Sequence, residues 1–231
     1  MANILPKKLH KHFWDEESGL TSIFVLLCIT NFLVFPFFPR IQILIRIFWF
    51  ALLLAGISTL AKNRLQRRIF SVIPFLLIVV STAQYLIPDS TFLAFIDLGV
   101  EILVFALLIG MVLVKVFEDG KVTIHRIIGS IVVYMLIANV WAIIYHFLYV
   151  QLPGSIHISS GFTDQGVAPS IFLYFSYTTL STTGYGDILP VHSLARTLVI
   201  IEQLIGVLYP VVLIGRLVSL VVGNPQTPDK K

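Results

Sequence analysis

The sequence predicts an all-α integral membrane fold of six transmembrane helices plus one shorter, re-entrant helix. Three observations lead there. Of the 231 residues, 57% are hydrophobic and only 12% charged, whereas a soluble domain carries about 25% charged residues. Six apolar runs reach the roughly 20 residues that a helix needs to cross a hydrocarbon core about 30 Å thick. A seventh apolar run, Pro169 to Leu180, is too short to cross and leads into a stretch with two closely spaced glycines.

Taken in order, residues 1–19 are polar to amphipathic. Phe13 and Trp14 beside Asp15, Glu16 and Glu17 suit a helix lying at the cytoplasmic interface. Lys7, Lys8 and Lys11 precede an apolar run as in a signal peptide, but the run is too long and no small-residue cleavage site follows, so it reads as a retained first span. The six spans are expected at Leu20 to Phe38, Ile41 to Ala61, Ile69 to Ile87, Thr91 to Phe117, Ile124 to Val150 and Ser193 to Val222.

The connections fix the orientation. Phe35 to Arg40 is a proline-broken turn at the aromatic belt, and Lys62, Arg64, Arg67 and Arg68 form the strongest basic cluster, which marks that loop as cytoplasmic. Pro88-Asp89-Ser90 turns the chain outside and Glu118 to Lys121 returns it inside. With both termini cytoplasmic, all of the 16 Lys and Arg except Arg40, Arg46 and Arg196 fall at or near the inner side. The placement of these charges, more than the modest net +4, therefore orients a multi-pass chain in a cell membrane, with the lipid bilayer as its partner, and gives no case for nucleic acid. The lone Cys28 permits no intrachain disulfide.

After the fifth span, a loop from Gln151 to Gly166 lies outside by this count. Pro169, suited to a first helical turn, then opens the half-helix to Leu180. Irregular backbone at membrane depth is tolerated only where it is buried in protein or lines a watery path. The stretch Ser181 to Asp187 follows. Gly184 and Gly186 reach positive φ without a Cβ penalty and can turn successive carbonyls toward one axis, where they replace the water shell of a bare cation. Tyr185 is expected to point away from that axis, and the Thr182 hydroxyl adds an oxygen. The C-terminal dipole of the half-helix favours a cation at the same place.

Phe175 to Asp187 resembles the pore helix and signature filter of the potassium-channel superfamily, and the likeness extends from Pro169 through Pro190 to Leu220. Residues 118–222 then look like a pore domain, residues 20–117 like a charge-poor four-helix domain of voltage-sensor type, and residues 223–231 like a short cytoplasmic tail. Glu202, Gly206, Leu208-Tyr209 and Arg216 to Val218 are similar to prokaryotic channels with short tails, which implies a prokaryotic inner membrane. The resemblance implies that carbonyls of Thr182, Thr183, Gly184 and Tyr185, with Gly186 completing the turn, bind dehydrated K⁺. It implies no other cofactor. Asp187 is expected at the outer mouth. Thr183 stands where many members carry valine, and Thr178 where some carry glutamate. One such segment per chain supplies a quarter of a ring, so a homotetramer is expected.

The remaining charges and breaks raise gating questions. Steep voltage gating needs roughly three or four charges per subunit, each worth about 2.3 kcal/mol per 100 mV. Thr91 to Phe117 carries only Lys115 at its inner end, with Asp97 and Glu101 in its outer half, so the channel is not expected to be voltage-gated in that manner. Arg46 is expected to pair with Asp97 or Glu101, as a structural ion pair or a weak voltage or proton sensor. Glu202 is either a cation-attracting or pH-responsive modulator, or hydrogen-bonded to a pore helix of its own or a neighbouring subunit. Gly206 lies at the spacing of an inner-helix hinge, and Pro210 can kink the same helix. The aromatics Phe172, Tyr174, Phe175 and Tyr177 read as packing around the filter. His146, His157 and His192 read as outer-face histidines. The nine residues after Val222 imply no covalently linked ligand-binding domain. The alternatives are a potassium transporter subunit or a non-conducting regulatory subunit. An enzyme is not expected, since no His-Glu-x-x-His spacing and no plausible nucleophile and base occur.

Overall fold

The computed structural model describes residues 18–34, 37, 72, 75–76, 78–84, 86–87, 90–118, 123–159 and 168–222. The expected interfacial helix (residues 1–17 of it), the expected second span with Arg46, the basic loop from Lys62 to Arg68 and the expected tail lie outside them.

Helix α1 (Ser18–Cys28) continues into a π-helix over Ile29–Val34. Helix α2 (Thr91–Val116) starts where the Ser90 side chain accepts a hydrogen bond from the Leu93 amide, at 3.4 Å, the polar start that orphan helix-end amides require. Helix α3 (Ile124–Gln151) follows, then strand β1 (Ile156–Ile158), helix α4 (Pro169–Leu180), strand β2 (Ile188–Pro190) and helix α5 (Ser193–Val222). Pro169 occupies the first turn of α4, where its missing N–H costs nothing. Among the described residues, three helices are long and apolar enough to cross a membrane: Thr91–Val116, Ile124–Gln151 and Ser193–Arg216.

The expectation of an all-α chain needs one correction. Strands β1 and β2 pair antiparallel, with Ile156 opposite Pro190, His157 opposite Leu189 and Ile158 opposite Ile188. Ile156 and Ile158 are buried and His157 is exposed, so the ribbon turns an alternating apolar face onto the protein. Three residues are too few to show a period, so the sequence alone reads as loop here.

Two apolar clusters sit along α3. Around its first half, Leu20, Ile23 and Leu27 of α1 meet Val104, Leu108, Val112 and Val116 of α2 and Val132 and Leu136 of α3. Gly129 permits this: a Cβ there would stand 2.8 Å from Val116 Cγ2 and 3.0 Å from Leu20 Cδ1, the close approach that small residues give to membrane helices. Around its second half, Trp141, Tyr145 and Leu148 meet Phe172 and Phe175 of α4, Ile156, Ile158 and Ile188 of the ribbon, and Ala195 of α5. Helix α3 thus joins a helical layer to the layer that holds α4. Helix α5 keeps a broad apolar surface uncovered, with Ile200, Leu204, Val207, Val211 and Ile214 all exposed.

Candidate functional site

Helix α4 has 12 residues, so at about 1.5 Å per residue it reaches roughly 18 Å and cannot cross a membrane. Phe172, Leu173, Phe175, Ser176, Thr179 and Leu180 bury its sides. Its last turn grips the residues that follow. Thr182 N donates to Thr179 O at 2.9 Å, and Thr183 N and Gly184 N both donate to Thr178 O, at 2.8 and 3.1 Å. A trans peptide holds its C=O antiparallel to the next N–H. Amides that point back at α4 therefore turn the carbonyls of Ser181, Thr182 and Thr183 away from it.

Positive φ recurs at alternate positions: Thr182 at 57°, Gly184 at 53° and Gly186 at 81°. Residues 181–186 are all exposed. For Gly184 and Gly186 that backbone is unstrained. For Thr182, a β-branched residue, it is a genuine outlier, and such outliers gather where function requires a set backbone. Among the described residues, no hydrogen-bond donor reaches the carbonyls of Thr182, Thr183, Gly184, Tyr185 or Gly186. Ser181 Oγ and Thr183 Oγ1 lie 2.8 Å apart, and Ser181 Oγ also donates to Tyr177 O at 2.7 Å.

Beyond Gly186 the chain is pinned by other partners. Tyr174 Oη donates to Asp187 Oδ2 at 2.5 Å, while the Tyr174 and Tyr185 rings stack with centroids 6.4 Å apart and planes 1° from parallel. The hydrogen bond to Asp187, with smaller help from desolvation and charge, pushes the Tyr174 phenol up to about 12. Asp187 Oδ1 accepts from Ile188 N at 3.1 Å. The Asp187 carbonyl accepts both Ser159 N, at 3.0 Å, and Ser159 Oγ, at 2.7 Å. Ser155 O accepts Val191 N and His192 N on the far side of the ribbon. The β1–β2 ribbon therefore anchors the segment after Gly186 as the end of α4 anchors the segment before it.

Behind α4, Glu202 of α5 is fully buried. Its Oε1 accepts from Ser176 Oγ of α4 at 2.5 Å and its Oε2 from Tyr145 Oη of α3 at 2.6 Å. One carboxylate so ties three helices within one chain. A second tie lies at Leu180, whose carbonyl accepts from Tyr134 Oη at 3.0 Å and presses on Gly206, where a Cβ would stand 1.9 Å from that oxygen. Pro210 lies within the same continuous helix. Tyr209 Oη donates to Ser130 O at 2.7 Å, closing α5 onto α3.

Asp97 and Glu101 belong to α2 and not to the helices that hold this arrangement. They line a cavity of about 150 Å³ between α2 and α3, together with Gln84, His146 and Gln151. Ser81 Oγ donates to Asp97 Oδ1 at 2.6 Å. The expected pairing of these acids with Arg46 falls outside the described residues. Among the described residues no group of three His, Cys, Asp or Glu side chains could hold a metal ion.

Sequence reasoning missed Tyr145, Ser176, Ser159 and the Tyr174–Asp187 bond. For Tyr145, Ser176 and Tyr174 the available signal was a hydroxyl inside an apolar helix, which must find a partner away from water; Ser159 lies outside any helix and gave none.

Comparison with known proteins bears on the same region. Residues 127–223 match the family model described as ion channel. No curated protein and no solved structure matches the chain. The matched stretch runs from α3 through α5, and over it the likeness is to an ion channel and not to an enzyme.

Proposed function

We propose that this chain is one quarter of a passive, potassium-selective channel, with Thr182 to Gly186 as its selectivity filter. The observation that carries the reading is the alternation of positive φ at Thr182, Gly184 and Gly186 in an exposed segment at the end of a half-helix. Such a backbone turns consecutive carbonyls the same way, as a ring that replaces the hydration shell of K⁺ must. Carbonyls of Thr182, Thr183, Gly184 and Tyr185 bind the ion, and the Thr182 hydroxyl adds another oxygen. Asp187, held by Tyr174, stands at the outer mouth and raises the local cation concentration.

A single segment encloses no axis, so four copies assemble as a homotetramer in the cell membrane, and the exposed apolar side of α5 is covered by lipid or by neighbouring copies. Both termini are cytoplasmic. Bending of α5 about Gly206 and Pro210 opens the path, and Glu202 serves by fixing the half-helix and not by contacting the ion. The test is reconstitution of the purified protein alone into vesicles, with K⁺ and Na⁺ flux measured and barium as blocker. Barium-sensitive K⁺ flux well above Na⁺ flux is expected. Vesicles that pass neither ion would favour a non-conducting subunit, and equal flux of both would end the selectivity claim.

A further inference from the structure

The first span reaches the half-helix through one residue. Asn31, in the π-helix Ile29–Val34, is 2% exposed, and its Nδ2 donates to Tyr177 Oη at 3.0 Å. Phe32 adds a ring contact to the same tyrosine, with centroids 5.8 Å apart. Asn31 Oδ1 has no hydrogen-bond partner among the described residues. A buried amide with one arm unsatisfied is costly in a span where an apolar side chain would pack without penalty. Polar residues kept inside membrane spans, and π turns within helices, both gather at functional positions.

Holding α1 in place does not require Asn31. Leu20, Ile23 and Leu27 already bury α1 against α2 and α3, and Thr21 Oγ1 lies 2.7 Å from His125 Nδ1 near the start of α3. What Asn31 adds is a fixed position for Tyr177, and Tyr177 belongs to the turn that grips the filter. Its carbonyl accepts both Ser181 N and Ser181 Oγ, and the next carbonyl, Thr178 O, accepts Thr183 N and Gly184 N. A shift of that turn would carry the peptide planes of Thr182 and Thr183 with it.

We infer that Asn31 is a positioning residue for the filter, acting through Tyr177. The first span is then a working part of the pore, although it lies outside the stretch 127–223 that matches ion channels. This rests on the reading of Thr182 to Gly186 as a K⁺ filter.

The experiment compares K⁺ and Na⁺ flux into vesicles for the full-length wild type, Asn31→Leu, Tyr177→Phe, the double variant and Thr21→Val. Asn31→Leu and Tyr177→Phe are each expected to lower the K⁺/Na⁺ ratio about threefold or more, and the double variant no further than the worse single, because both remove one link. Thr21→Val loosens α1 at a point remote from α4 and is expected to keep the wild-type ratio. Tyr177→Phe deletes a single oxygen without altering the first span, so it decides the matter where Asn31→Leu does not reach the membrane. An unchanged ratio in the single variants, independent losses that multiply in the double, or an equal loss in Thr21→Val overturns the inference while the filter reading stands. A wild type that passes Na⁺ as readily as K⁺ overturns the filter reading and this inference together.

Discussion

The carbonyl oxygen of Leu180 lies 1.9 Å from the point where a Cβ on Gly206 would stand, and the carbonyl carbon lies at 2.8 Å. The obstacle is backbone at the end of α4, so it cannot step aside as a flexible side chain would. Gly206→Ala is therefore expected to destabilise the protein by about 1–3 kcal/mol, the range for overpacking. Gly215, in the same helix, has nothing within 4 Å of the place a Cβ would take, and Gly215→Ala is expected to be neutral or to gain up to about 1 kcal/mol of helix propensity. Thermal melting of the detergent-solubilised protein compares them. If the two variants melt alike, the contact is not the reason for glycine at position 206. Because Gly206→Ala perturbs packing whether or not α5 bends, Pro210→Ala is the cleaner probe of a hinge.

A second expectation concerns Glu202, whose two oxygens accept from Ser176 and Tyr145. Glu202→Ala leaves both hydroxyls buried without that acceptor, at about 1–3 kcal/mol for each unsatisfied group. Glu202→Gln keeps one carbonyl acceptor, and Ser176 Oγ can turn to accept from the new amide. The order of stability is expected to be wild type, then Glu202→Gln, then Glu202→Ala. A Glu202→Ala protein as stable as the Gln variant would mean that the hydroxyls find other partners and that the carboxylate does not tie the three helices.

The Asp187 end of the site gives a prediction in pH. Tyr174 is raised to about 12 by its hydrogen bond to Asp187 first, then by desolvation and charge. A group whose folded value exceeds its unfolded one, about 10 for tyrosine, contributes stability that is fully present below the unfolded value. That contribution fades as pH rises through the folded value. The stability that the Tyr174 bond contributes is thus fully present at neutral pH and fades between about pH 10 and pH 12, while the bond itself opens only as pH passes about 12. A tyrosinate absorbance titration of wild type against Tyr174→Phe is expected to differ by one late-ionising group. If the missing ionisation instead falls near pH 10, the bond does not hold the proton in solution.

How far these features could be read from the chain depends on what defines each. The positive φ of Gly184 and Gly186 was legible because glycine spacing reports backbone directly. Pro169 announced α4, and apolar length announced α2, α3 and α5. Partners distant in sequence were legible only in part: a half-helix partner for Glu202 was one of two readings, without the residue that supplies it. Glu202 meets residues 57 and 26 positions away, and Asn31 meets one 146 away; a hydroxyl in an apolar helix shows that a partner is needed but not which one. The β1–β2 ribbon was missed because each strand has three residues, less than any periodicity needs. Gly206 was located by spacing alone, which suggested bending, whereas its immediate physical requirement is room for the Leu180 carbonyl.

The filter reading also makes a prediction that does not depend on flux. Thr182, Gly184 and Gly186 hold positive φ, and for a threonine this costs of order 1–3 kcal/mol. Carbonyl oxygens turned the same way repel one another as well. A dehydrated cation among them offsets both costs, and it does so only in the folded assembly. Binding to the folded state alone raises stability by RT ln(1 + [L]/Kd), about 2.7 kcal/mol at a hundredfold excess of ion over Kd. Melting is therefore expected at a higher temperature in K⁺ than in Na⁺ or choline salts at equal ionic strength. Thr182→Gly separates the two contributions. Glycine removes the positive-φ strain, so the choline melting temperature should rise, but it also removes the hydroxyl oxygen, so the increment from K⁺ should shrink. Identical melting of the wild type in all three salts would leave the carbonyl array without an ion to explain it and would sink the filter assignment.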